Sequence, residues 1–307
     1  MNTRRLTEFA LLGATAVEAA VFAAIAPAFF TIANALNIAL AIAVTGILAV
    51  GMTAVILTGG IDLSVGSVVA LAGVCAALVA GKSTLIAIVV ALLIGVATGA
   101  LNGTLIAFFK VPAFVTTLAM LTIARGLAFI ISSGRSIGNL PDSFGALGRS
   151  SLAGIPTPVI VMAVVMFAGA FVLNRTVFGR HVYATGGNPD AAWLAGIDTR
   201  RVTWLVYALN GLLVGLAGVT LASRLGAGVP NSGLQYELDV IAAVVVGGTS
   251  LTGGRGTIGG TASGAIFIGV LTNGLNLANI DPYVQKIALG VVIVGAVVAD
   301  QLSRRRG

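Results

Sequence analysis

His181 is the only histidine in the 307 residues and Cys75 the only cysteine. A serine or cysteine nucleophile activated by histidine needs a carboxylate or amide partner around that one imidazole, and a zinc site needs several nitrogen or sulfur ligands. One histidine and one cysteine offer little for either, so hydrolytic chemistry on this chain alone is not expected, there is no disulfide framework or thiol metal site, and no cofactor is expected. Two short motifs imitate nucleotide sites. Residues 76–83 read A-x-x-x-x-G-K-S, and residues 254–259 read G-x-G-x-x-G. The first ends an apolar run instead of joining a strand to a helix in water. The second has no preceding strand and no acidic residue about 20 positions on. The first is expected to be the end of a membrane span and the second a tight cytoplasmic turn between two spans.

The remaining polar residues of interest interrupt apolar runs: Asp62, Ser64, Asn102, Arg125, Asn273 and Asn276, with Asn210 beside them. Ionisable groups at membrane depth are costly and usually face a cavity or a partner. Each therefore has two readings. Asp62 can cap the helix that follows Gly59-Gly60, or gate and contact a substrate. The asparagines can bridge helices or touch a ligand. Arg125 needs a partner or water.

A different kind of signal lies in the hydrophilic stretch 174–201. Asn188 suits an N-cap, Pro189 the first helical position, and Asp190 the positive end of the dipole. Ala191, Ala192, Trp193, Leu194 and Ala195 are mostly good helix formers, and Gly196 can end the turn. A helix of about two turns, roughly 10 Å long, follows from this. So short a helix is marginal alone. Displaying Trp193 and Leu194, it could insert into a partner's groove, or lie on the membrane or on its own subunit.

The elements that hold these groups follow from composition. Hydrophobic residues make up 58% and charged residues 9%, with mean hydropathy +1.07. A soluble surface needs roughly 25% charge, so lipid must serve as solvent. The net charge of +7 is scattered at segment ends, which fits topology signals better than nucleic-acid binding. Apolar runs close to the ~20 residues of a crossing helix fall at about 9–30, 38–57, 63–80, 85–108, 113–131, 158–173, 202–222, 238–246, 258–275 and 283–299. The expected fold is all-α, a single polytopic bundle over 1–307 with about ten spans and both termini cytoplasmic. The run at 238–246 is short. The first run could imitate a secretory signal, but Glu18 interrupts it, and an uncleaved span is expected.

Basic residues agree with this topology. Inside fall Arg4, Arg5, Lys110, Arg175, Arg180, Arg200, Arg201, Arg255, Arg304, Arg305 and Arg306; outside fall Lys82, Arg135, Arg149, Arg224 and Lys286. Glycines four apart, Gly95/Gly99/Gly103, Gly211/Gly215 and Gly260/Gly264, favour tight helix contact, within the subunit or across a dimer. Residues 59–66 also echo 247–254, as in transporters with duplicated halves and broken helices, although glycine-rich stretches can match by chance.

These residues resemble the ribose-type sugar permeases of bacterial ABC importers. The matching stretches are ILTGGIDLSVGS (56–67), LNGTLIAFFKVPAFVTTLAM (101–120), IARG (123–126), FGRHVYATGGNPDAAWLAGI (178–197), YELDVIAAVVVGGTSLTGG (236–254) and NGLNL (273–277). They cover nearly the whole chain in order. The resemblance implies a multi-pass protein of the bacterial inner membrane that pairs with a second permease subunit, identical or related. It further implies a separate cytoplasmic ATPase and a periplasmic sugar-binding protein as partners. Gly186, Gly187, Asn188, Ala191, Ala192 and Gly196 match the family's cytoplasmic coupling segment. Gly59, Gly60, Asp62, Leu63, Ser64 and Gly66 match its glycine-rich membrane motif. An ion-coupled secondary transporter, or a branched-chain amino acid permease of the same superfamily, are the alternatives.

Overall fold

A computed structural model describes residues 3–305, with side chains described for 11–298. The side chains of Arg4, Arg5, Arg304 and Arg305, and all of Arg306, lie outside the described residues. The elements are α1 (Thr3–Ile25), α2 (Ile32–Leu57), α3 (Val65–Ala80), α4 (Thr84–Ala107), α5 (Ala113–Ile131), α6 (Asp142–Arg149), β1 (Ser151–Leu152), β2 (Ile155–Pro156), α7 (Thr157–Arg175), α8 (Val177–Gly187), α9 (Pro189–Leu194), α10 (Thr199–Leu225), α11 (Tyr236–Val246), α12 (Ile258–Leu277) and α13 (Pro282–Arg305). All ten apolar runs are helices. Among the described residues α2, α4, α5, α7, α10 and α12 have the length and hydropathy of a complete crossing. The two short strands form one antiparallel hairpin.

Boundaries differ from the sequence reading where caps decide. The run expected to continue to Phe30 stops at Ile25. Thr31 accepts a hydrogen bond from the Asn34 N–H and starts α2 six residues earlier than expected. The connections 132–156 and 174–201 contain two unforeseen helices, α6 and α8.

Helices α2 and α10 form the buried axis, and α4, α5 and α7 stand at the periphery with few buried side chains. Glycines permit the closest approaches. A methyl on Gly95 would overlap the Gly211 carbonyl of α10, and one on Gly264 would overlap the Ala243 carbonyl of α11. These glycine faces therefore join helices within one chain, where dispersion and close backbone contact act in place of a hydrophobic driving force.

Two similar arrangements organise the axis. Long α2 is followed by a non-helical stretch, 58–64, and then the shorter α3. Long α10 is followed by 226–235 and then the 11-residue α11. The first turns of α3 and α11 meet, since a methyl on Gly66 would strike the Gly233 carbonyl and the Glu237 carboxylate. The counterpart of 58–64 in this arrangement is 226–235 and not the echoing stretch 247–254. That echo does mark a second break after α11, and the two echoing stretches touch, because a methyl on Gly253 would strike the Gly59 amide. Beside them the Gly254 N–H donates to the Leu57 carbonyl at 2.9 Å.

Candidate functional site

The short helix α9 is built by its ends. Asn188 is extended (φ −156°) and its Oδ1 accepts from the Ala191 N–H at 2.9 Å. At the other end the Gly196 N–H donates to the Trp193 carbonyl and the Ile197 N–H to the Ala192 carbonyl. Gly196 adopts φ +82°. This is a Schellman motif, and its left-handed residue is the place for glycine. Ala192 faces inward, whereas Trp193 is 68% and Leu194 78% exposed. The fold therefore spends two caps on holding a six-residue helix whose large apolar side chains point away from the protein. A hollow lined by Phe108, Lys110, Pro189, Trp193, Arg200 and Arg201 lies alongside. Asp198 caps α10 by accepting from the Arg201 N–H at 3.0 Å and pairs with the Arg201 side chain at 2.9 Å. Such an exposed pair adds little stability.

Gly186 and Gly187, also singled out in the sequence, close the preceding helix α8. Gly186 lies against the Leu57 carbonyl and the Gly254 amide. Tyr183, one turn earlier, donates its hydroxyl to the Gly256 carbonyl at 2.9 Å.

Three of the six polar candidates meet in one buried knot. Asp62 Oδ1 accepts from the Ser64 N–H at 2.9 Å and from the Ser64 hydroxyl at 2.6 Å, and Oδ2 accepts from Asn210 Nδ2 at 2.8 Å. Asn102 Nδ2 donates to Ser64 Oγ at 3.2 Å. Tyr207 donates to the Ile61 carbonyl at 3.1 Å. All five side chains are buried. The carboxylate thus serves the break after α2, tying it to α10, while Asn102 ties it to α4 through Ser64. Ser64 and not Asp62 is the N-cap residue of α3, and Asp62 bonds no amide inside that helix, so the expected cap gives way to a bond across the break. Asn210 stands about 17 Å along α10 from its first residue, at 1.5 Å per residue.

The other three stand elsewhere. Arg125 on α5 donates through Nη1 to the carbonyls of Pro230 (2.7 Å) and Ser232 (2.8 Å), fastening the 226–235 stretch. Asn273 exchanges two hydrogen bonds with Asn34, joining α12 to α2. Asn276 Oδ1 accepts from Gln285 Nε2 of α13 at 2.8 Å. The sequence reading had not selected Tyr207 or Asn34. Tyr207 and Asn210 lie three apart in an apolar run, and so on one helix face, the one signal that could have paired them.

Residues 34–297 match the family model described as "Branched-chain amino acid transport system / permease component". The chain belongs to this permease family. Its relatives include the ribose import permease protein RbsC of Escherichia coli K12, 44% identical over 301 residues that cover 96% of this permease and 94% of the relative. RbsC of Bacillus subtilis 168 is 44% identical over 90% of this permease and 87% of itself. The L-arabinose transport system permease protein AraH of Escherichia coli K12 is 39% identical over 91% and 86%. No solved structure matches this permease significantly.

Proposed function

We propose that this chain is the membrane-pathway subunit of an ATP-driven importer for a monosaccharide or related polyol. The chain is not itself an enzyme. ATP hydrolysis belongs to a separate ATPase, and a periplasmic binding protein delivers the sugar to this multi-pass protein of the bacterial inner membrane. The observation that carries the reading is α9. A helix capped at both ends that leaves Trp193 and Leu194 bare is shaped to fill a partner's groove, in the helix-in-groove mode. Relatives named for ribose and L-arabinose transport, similar over nearly the full chain, support the sugar class.

In this reading the ten apolar helices cross the membrane and both ends face the cytoplasm, which puts α9 and residues 174–201 beside the ATPase. Gly186, Gly187, Asn188, Pro189, Ala191, Ala192 and Gly196 shape the segment that Trp193 and Leu194 anchor. A second permease subunit, identical or related, completes the path. Asp62, Ser64 and Asn102 stiffen its wall at the α2–α3 break, Arg125 fixes the 226–235 stretch, and Asn273 and Asn276 hold α12 to its neighbours.

Reconstitution into proteoliposomes with the ATPase and binding protein tests this. Uptake of labelled ribose or arabinose should require ATP and persist with an uncoupler at constant ATP. Uptake abolished by the uncoupler would indicate an ion-coupled carrier instead, and uptake of leucine but no sugar would indicate the amino acid class.

A further inference from the structure

Helix α8 carries α9, and only Asn188 separates them. Its inward face repeats at helical spacing: Gly179 under the carbonyls of Val172 and Leu173, fully buried Val182, Tyr183, and Gly186. Through this face α8 touches the end of α2, where the 58–64 break begins, and the break after α11. Gly186 sits on the carbonyl of Leu57, the last residue of α2 before the 58–64 break that Asp62 organises. The same Leu57 carbonyl accepts from the Gly254 N–H, within the break after α11. Tyr183 holds that second break again through the Gly256 carbonyl. Three backbone segments therefore converge where Gly186 allows no methyl between them, and one hydroxyl pins the group.

We propose that Tyr183 and Gly186 are positioning residues of a transmission joint, through which displacement of α9 by the ATPase is carried to both broken stretches at once. The proposal rests on the reading that α9 docks on an ATPase. The geometry favours it because α9 has no slack of its own. Its N-cap is the residue that ends α8, so pushing α9 moves the C-terminal end of α8. Packed joints without voids shift between discrete arrangements instead of deforming gradually. A joint that touches the end of α2 and the stretch leading into α12 together would switch them in concert.

The test uses the full complex of this chain with its ATPase and binding protein in proteoliposomes, comparing wild type with Tyr183→Phe and Gly186→Ala. The readouts are the amount of ATPase bound and the sugar taken up per ATP hydrolysed. Tyr183→Phe should bind the ATPase in the wild-type amount while uptake per ATP falls roughly two- to tenfold, the factor corresponding to one neutral hydrogen bond. Gly186→Ala should fall further; if it fails to insert, Tyr183→Phe alone decides. Unchanged uptake per ATP in Tyr183→Phe would overturn the joint and leave the docking reading intact. A fall in uptake matched by an equal fall in bound ATPase would also overturn it, by showing a structural role only. A wild-type complex that recruits no ATPase would remove the docking reading and the joint with it.

Discussion

Asp62 and Asn210, 148 residues apart in sequence, are joined by a 2.8 Å hydrogen bond at the centre of the fold. The bond crosses from the break after α2 to the middle of α10, the two most buried long helices. Because Ser64 occupies the other carboxylate oxygen, Asp62 satisfies three donors at once. Removing it strands them all, and an unsatisfied buried polar group costs about 1–3 kcal/mol. Asp62→Ala should therefore lower the melting temperature of the detergent-purified protein and abolish uptake. Asp62→Asn should fall between, because its Nδ2 would face the Asn210 Nδ2 unless one amide turns over. Adding Asn210→Asp restores a donor–acceptor pair and should recover part of the loss. Equal stability of wild type and Asp62→Ala would contradict the bracing role.

Capping gives a second expectation. Asn188→Ala removes one cap bond, worth about 1 kcal/mol, and should weaken ATPase binding about fivefold. Asn188→Ser keeps an acceptor oxygen and should bind nearly as wild type. Gly196→Ala places a side chain at φ +82° and should cost about 1 kcal/mol as well. Titration of the ATPase onto each variant in nanodiscs reads these differences.

Arg125 makes a prediction about exposure. Its guanidinium holds two carbonyls of 226–235 from a single nitrogen. Arg125→Ala should loosen that stretch, so that Ser232→Cys reacts several-fold faster with a water-soluble thiol reagent in a Cys75→Ala background. Arg125→Lys, a point donor on a flexible stem, should give an intermediate rate. Identical labelling rates in all three would show that the stretch is held by other contacts.

Helix packing supplies the fourth. Gly95 and Gly211 leave no room between α4 and α10. Gly211→Leu should prevent stable insertion, measured as loss of monodisperse protein after extraction. Gly290→Leu, at a position with open space around its Cα, should not.

What the sequence made legible follows from the range of the forces involved. Helix α9 could be drawn residue by residue because capping is local: Asn188, Pro189 and Gly196 act within one or two turns of themselves. The apolar runs were legible because lipid imposes a length. Helix α8 was not, since Gly179, Gly186 and Gly187 argue against a helix, and distant contacts with Leu57, Gly254 and Gly256 and the burial of Val182 help to hold it. Helix α6 likewise contains Gly145 and Gly148 and depends on buried Phe144, whose carbonyl accepts from the Ser223 hydroxyl. Asp62 was visible as an anomaly, but its partner Asn210 appears only once α2 and α10 are packed. Arg125 and Asn273 gave the same half-answer, a polar residue without an address.

The central claim is that α9 grips an ATPase through Trp193 and Leu194, and the most direct measurement is capture of that ATPase by the purified permease. Trp193→Glu with Leu194→Glu leaves both caps in place and should insert normally while retaining less than about a tenth of the ATPase, since each exposed apolar anchor contributes on the order of 1–2 kcal/mol when buried. Wild-type amounts of ATPase on that double variant would contradict the account.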